Sequence, residues 1–215
     1  MKAAGRLPDQ RPAEQAERRE GTTVEIRQLE KASFAGKRFT ARYRTKGYYD
    51  GKRFTARYRT KGYYDIRPSE TGFCIQYTPF DTAVERSFAD EFFGEWLGES
   101  VAYGAFEGEA LLGFAEGAPE TWNHRFRISN LCVFDPAARH RGIGTALMNT
   151  ILAEAERAGA RMAVLETQSC NEAAIAFYRK NGFEIIGFDL YAYSNTDPAR
   201  HEIRIEMGKK LENIQ

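Results

Sequence analysis

The run Arg139-His140-Arg141-Gly142-Ile143-Gly144 separates a strand-like segment, RFRISNLCVF at 125–134, from an amphipathic segment that begins at Thr145. Glycines at 142 and 144 let the backbone approach a bound group closely. The first turn of a following helix adds N–H donors at the positive end of its dipole. Together these features make a cradle for a pyrophosphate. The backbone amides of His140, Arg141, Gly142, Ile143, Gly144 and Thr145 carry that reading. Arg139 and Arg141 either touch phosphates or are solvated loop cations, and His140 reads as a loop residue. Two other nucleotide loops are excluded: a GxGxxG fingerprint needs glycine where Leu147 stands, and a Walker loop needs Gly-Lys followed by Ser or Thr.

Metal and disulfide chemistry find no support in the spacing. Cys74, Cys132 and Cys170 are an odd set with no CxxC, and His124, His140 and His201 are scattered. All three thiols read as buried or incidental, and a reducing cytoplasm is the expected compartment.

A second block, Asn171-Glu172-Ala173-Ala174-Ile175-Ala176-Phe177-Tyr178-Arg179-Lys180-Asn181-Gly182-Phe183, follows the first. With the glycine loop it resembles the GCN5-related N-acetyltransferases (GNAT), whose acetyl-CoA loop reads Arg or Gln, two variable residues, Gly, one variable residue, then Gly or Ala. Thr121-Trp122-Asn123, Leu165-Glu166-Thr167-Gln168 with Asn171, and Gly187-Phe188-Asp189-Leu190 with Tyr193 are similar to the streptothricin acetyltransferases in particular. The similarity runs from about residue 100 to 194 and weakens over 70–99. The loop between Val133 and Arg139 is one residue longer than the family's usual.

The resemblance implies an α/β fold of the α+β kind, the GNAT fold: a central mixed sheet with splayed strands, flanked by helices. Acetyl-CoA is the implied co-substrate, with no metal. Its pantetheine arm would lie between the strand ending at Val133 and the strand ending at Thr167. Backbone groups of Leu131, Cys132 and Val133 would pair with that arm and polarise the thioester carbonyl, a donor effect worth ~10²- to 10³-fold in rate. The Cys132 side chain has no role in this reading. Tyr178 would protonate the departing CoA sulfur, worth ~10²- to 10⁴-fold, or else simply pack beside Phe177. Glu166, with Glu120 behind it, would take the ammonium proton through water; Glu166 equally suits binding a cationic amine or capping the fold. Asn171 can cap its helix and hydrogen-bond the pantetheine arm. Trp122 either lines the acceptor pocket or packs.

These groups need elements to hold them. The pattern predicts strands over 22–29, 72–78 (Phe73, Ile75 and Tyr77 on one face), 100–106, 110–116, 125–134, Met162 to Thr167, 184–193 and a last strand with Ile203, Ile205 and Met207 inward. Val84, Phe88, Phe92 and Trp96 recur every four residues and predict an amphipathic helix over 82–97. Leu147, Ile151 and Ala155 line a helix that Gly159 stops, and another helix runs from Asn171 to Gly182.

Residues 36–50 and 51–65 are the same fifteen, GKRFTARYRTKGYYD, in tandem. Because fifteen is odd, one continuous strand would turn Phe39, Ala41 and Tyr43 to one face and Phe54, Ala56 and Tyr58 to the other. One copy is therefore expected to form a native strand, with the other a ribbon or loop beside it. Each copy carries a charge of +4, so a chain with net charge +1 has a remainder at −7. Such a body attracts a cationic small substrate, whereas the basic repeat is no evidence for nucleic acid.

The chain has 215 residues, 42% hydrophobic and 28% charged, and no apolar run of membrane-spanning length. Residues 1–20 read as a disordered tail and 21–215 as one domain, with homodimerisation open. The function so implied is acetyl transfer to a primary amine of a small cationic molecule, with streptothricin as the named acceptor. A RimI-like protein N-terminal acetyltransferase or a non-catalytic CoA-binding module are the alternatives.

Overall fold

The computed structural model describes residues 23–34, 53–94, 97–134, 138 and 140–212. The expected tail at 1–20, the first repeat copy at 36–50, Trp96 and Arg139 lie outside these. In chain order the elements are β1 (Val24–Gln28), α1 (Lys31–Phe34), β2 (Arg53–Ser69), β3 (Gly72–Glu91), β4 (Val101–Glu107), β5 (Ala110–Glu120) and β6 (Arg125–Val133). Then follow α2 (Ile143–Arg157), β7 (Met162–Gln168), α3 (Glu172–Lys180), β8 (Glu184–Asp189), α4 (Asp197–Arg200) and β9 (Arg204–Lys210).

Seven strands form one sheet in the order β1-β4-β5-β6-β7-β9-β8, and β2 and β3 form a separate two-stranded ribbon. Within the large sheet only β6 and β7 run parallel. Their ladder is short, from Arg125 opposite Met162 to Ile128 opposite Leu165, and no later β6–β7 pair occurs among the described residues. The two strands therefore part over 129–133 and 166–168. On its other side β6 has one extra residue: Glu116 faces Asn130 while Gly117 faces Ile128, which leaves Ser129 as a β-bulge. This is the expected mixed sheet with splayed central strands.

Helix α2 forms because its apolar residues recur at helical spacing. Leu147, Ile151 and Ala155 are fully buried against the sheet, and Gly159 at φ 69° turns the chain out of the helix. The core on this face also takes in Ala115, Phe126, Ile128, Leu165, Ile205 and Met207. Alternate strand residues supply a smaller cluster on the opposite face, where Phe114, Ala102 and Leu111 meet Phe92 and Phe93.

Two expectations need correction. Residues 82–91 are strand, not helix: Val84 sits opposite Thr60 and Phe88 opposite Ala56 in the ribbon. A spacing of four also keeps residues on one face of a strand, and β2 offers a long ladder that the local pattern could not reveal. The strand expected to reach 193 ends at Asp189. There the Asp197 carboxylate accepts hydrogen bonds from Tyr193 N and Ser194 Oγ, and this local turn outcompetes further pairing.

The second repeat copy supplies β2, and its residues anchor the ribbon to the end of β7. Tyr58 Oη donates to Gln168 Oε1 at 2.7 Å, Tyr64 N to Ser169 O at 3.0 Å and Lys61 N to Glu172 Oε1 at 2.8 Å. Tyr77 of β3 donates to the other Glu172 oxygen, and Tyr63 stacks on His201 at 3.8 Å. Phe73, Ile75 and Tyr77 do share a face of β3, but that face is largely exposed.

Candidate functional site

Three elements converge at the mouth of the splay. Gly142, at φ 81°, precedes α2 and supplies no side-chain cap, and the first intrahelical bond runs from Ala146 N to Gly142 O at 2.9 Å. The N–H groups of Ile143, Gly144 and Thr145 thus belong to the uncapped first turn, where an anion is stabilised. A Cβ on Gly144 would lie 3.4 Å from the Phe177 ring and 3.7 Å from Val133. The helix N-terminus, the end of β6 and α3 are therefore packed together there, as the sequence pattern required.

Arg141 is not aimed at open solvent: its Nη2 makes a 2.6 Å ion pair with Glu107 at the β4–β5 turn. His140 is an exposed loop residue with φ 64°.

Along β6, Leu131 and Val133 pack towards the α2 side, while Cys132 stands opposite Phe114 on the other face. Across the gap, Tyr178 is buried between Phe177 and Phe183. Burial drives its phenol well above the ordinary value of 10, and the nearby Cys132 adds to the rise. Tyr178 is consequently a neutral O–H at all physiological pH. Among the described residues nothing accepts a hydrogen bond from it. Asn171 caps α3 by accepting from Ala174 N at 3.4 Å, so the cap role is occupied.

Glu166 lies on β7 just beyond the last residue paired with β6. It is exposed and accepts from Tyr193 Oη at 3.4 Å and Arg204 Nη1 at 3.4 Å. Arg204 is shared with Asp189 at 3.7 Å, so two carboxylates face one guanidinium. Burial and then the Glu166 charge raise the Tyr193 phenol.

Glu120 and Trp122 are elsewhere. β6 from Arg125 to Val133 spans about 26 Å at ~3.3 Å per residue, and both residues lie at its start, away from the cradle. Glu120 accepts from Asn123 Nδ2, Arg125 Nε and Arg127 Nε. Burial alone would raise its carboxyl, but these donors outweigh burial and hold it below its ordinary value. Trp122 is 83% exposed on the β5–β6 turn.

Sequence reasoning missed Arg204 as a partner of Glu166, the donor role of Tyr193 and the buried carboxylate of Glu116. The alternation in β9 marked Arg204 only as an outward residue. Among the described residues no three His, Cys, Asp or Glu side chains converge as for a metal, and no helix is long and apolar enough to cross a membrane.

The sequence pattern of the Acetyltransferase (GNAT) family matches residues 58–183, more than half of the chain. The chain belongs to the GNAT family. The GNAT match takes in the second repeat copy from Tyr58 and ends at Phe183, so it includes both the cradle and Tyr178. A streptothricin acetyltransferase of Escherichia coli is 33% identical over 108 residues, covering 48% of this chain and 59% of that protein. An uncharacterised N-acetyltransferase of Methanocaldococcus jannaschii is 46% identical over 50 residues, 23% of this chain and 22% of that protein. The matched regions thus cover less than two thirds of these curated relatives. The GNAT fold also appears in a nourseothricin acetyltransferase crystal structure, with TM-score 0.64 and 22% identity over 87% of this chain and 98% of that one. A Bacillus anthracis protein described as a candidate streptothricin acetyltransferase, solved with acetyl coenzyme A, gives TM-score 0.65 and 23% identity over 88% and 99%.

Proposed function

We propose that this GNAT domain transfers acetyl from acetyl-CoA to a primary amine of a small cationic molecule, with streptothricin the named acceptor. The observation that supports the reading is a buried, neutral Tyr178 on α3, next to Phe177, whose ring lies against Gly144 at the uncapped N-terminus of α2.

Each group has a task. The N–H groups of Ile143, Gly144 and Thr145 bind the pyrophosphate, with Arg141 beside them. Backbone groups of Leu131, Cys132 and Val133 orient the pantetheine arm and the thioester carbonyl. The amine attacks the carbonyl carbon, forming a C–N bond as the C–S bond breaks, and the Tyr178 proton passes to the sulfur. Before the attack the ammonium gives one proton to Glu166 through water, and the second proton, released from nitrogen as the amide forms, restores the Tyr178 hydroxyl. Glu166 and Asp189, sharing Arg204, favour a cationic acceptor. The Escherichia coli relative, a streptothricin acetyltransferase, supports streptothricin, and the Bacillus anthracis structure solved with acetyl coenzyme A supports the donor. Trp122 and Glu120 take no part in this arrangement.

The test is release of CoA thiol from acetyl-CoA with streptothricin, against polyamines, lysine and a peptide panel. Strong stimulation by streptothricin supports the acceptor. Release driven only by peptides would move the assignment to protein N-termini, and no release with any amine would refute transfer.

A further inference from the structure

We propose that Glu116 is a positioning residue for acetyl transfer: its buried carboxylate sets the backbone of β6 at the point where the acyl donor is to lie. The inference rests on the placement of acetyl-CoA along β6 given above, not on the identity of the acceptor.

Glu116 is fully buried, at 0% exposure. Its Oε1 accepts from the Phe93 backbone N–H at 3.0 Å and from Ser100 Oγ at 3.1 Å, and its Oε2 from Asn130 Nδ2 at 3.3 Å. Its backbone carbonyl accepts from Ser129 Oγ at 3.2 Å. Ser129 is the bulge residue of β6 and Asn130 the next, so one residue of β5 holds both.

An ionised carboxylate is expensive to bury, and Phe114, Phe92 and Phe93 around it could have closed over an apolar side chain. What the carboxylate adds is direction. Donors from separate pieces of chain meet on it, among them the exit of the ribbon at Phe93, the approach to β4 at Ser100 and Asn130 just past the bulge of β6. Phe93 is itself held at φ 53°, a left-handed conformation that a bulky residue avoids unless its surroundings impose it.

A bulge re-aims the residues that follow it. Here these are Leu131, Cys132 and Val133, of which Cys132 is near enough to Tyr178 to raise its phenol. Glu116 does not touch the reacting atoms and acts through Ser129 and Asn130. Misplacement of reacting groups by ~1 Å can cost up to ~10²-fold in rate, so the register of this bulge matters to turnover.

The test exploits the division of bonds between the two oxygens. Glu116→Gln can keep both Oε1 bonds but turns the Oε2 acceptor into a donor facing the Asn130 amide; kcat should fall roughly 10- to 100-fold. Affinity for CoA, set mainly by the pyrophosphate cradle, should stay near the parent's. Asn130→Asp alone sets carboxylate against carboxylate and should lose as much. The double variant Glu116→Gln/Asn130→Asp restores the donor–acceptor match with the roles of the two strands exchanged and should recover most of kcat. Amide exchange over 129–133 reads the same geometry without turnover, faster in each single variant and slowed again in the double. A Glu116→Gln variant with parental kcat and parental exchange overturns the proposal. So does a double variant that regains parental Tm but not kcat, since Asn130 would then act on the reactants directly. A parent that releases no thiol with any amine would refute acetyl transfer, while the exchange result would still decide the role of Glu116.

Discussion

Two identical copies of one segment make a built-in control for the ribbon, because only one of them can occupy the place of β2. Tyr58 of the second copy donates to Gln168 Oε1 at 2.7 Å in a half-buried setting, and its hydroxyl also lies 3.4 Å from Cys170 Sγ. Tyr58→Phe removes that donor without changing the ring and leaves an acceptor of Gln168 unsatisfied. The expected loss is about 1–2 kcal/mol. For a domain of this size each kcal/mol moves Tm by about 2–4 °C, so the midpoint should drop by roughly 2–8 °C. Tyr43, at the same place in the first copy, should give a surface-like change within about 0.5 kcal/mol. The cleanest background is the chain lacking 36–50, in which no second copy can replace the first. That deletion by itself should leave Tm and thiol release close to the parent's, and Tyr58→Phe within it should show the full drop by differential scanning fluorimetry. An unchanged midpoint in the deleted chain would refute the Tyr58–Gln168 contact. A larger effect from Tyr43→Phe in the full chain would mean that the first copy forms the strand.

Tyr178→Phe should lower kcat by about 10²- to 10⁴-fold in a thiol-release assay, with far less change in the KM for acetyl-CoA; an unaltered kcat would remove the acid role. Glu166→Gln should raise the KM for the amine while the KM for acetyl-CoA stays put, and equal effects on both substrates would count against an acceptor-side role. Gly144→Val places branched carbon against Phe177 and Val133 and should weaken CoA binding at least tenfold by calorimetry, about 1.4 kcal/mol. For the stability–pH curve, Glu120 has a folded-state pKa below its ordinary 4.5, so its contribution is present above that value and is lost as pH falls through the folded value. Glu120→Gln should therefore flatten the acid limb of Tm against pH. The buried tyrosines act in the opposite sense: with the Tyr178 pKa raised, the unfolded chain loses its proton first above about pH 10, and stability should decline there.

Local chemistry was legible where neighbours in sequence are neighbours in space. The glycine pair at 142 and 144, the helix face of Leu147, Ile151 and Ala155, and the Asn171 cap are all short-range patterns, and each stands where it was expected. What escaped depends on distant partners. Val84 and Phe88 read as a helix because four residues is a period common to both structures, and only pairing with β2 decides between them. Glu116 looked like the tail of an alternating strand; its role needs Phe93, Ser100 and Asn130 brought from three other places. Glu120 looked chemical from its type, yet Arg125 and Arg127 on the adjacent strand engage both its oxygens.

The ribbon shows how such a protein can change. β2 and β3 satisfy most of their backbone groups on each other and join the rest of the domain through backbone and side-chain anchors around 168–172 and 200–202. Lengthening the chain ahead of β2 therefore breaks no ladder of the main sheet, and doubling a connection costs only about 0.6 kcal/mol of closure entropy. A fifteen-residue insertion at that point is tolerable for this reason. Change is therefore expected to be tolerated in the connection ahead of β2 and, under the proposed mechanism, to be costly along β6, where the bulge must place the acyl donor.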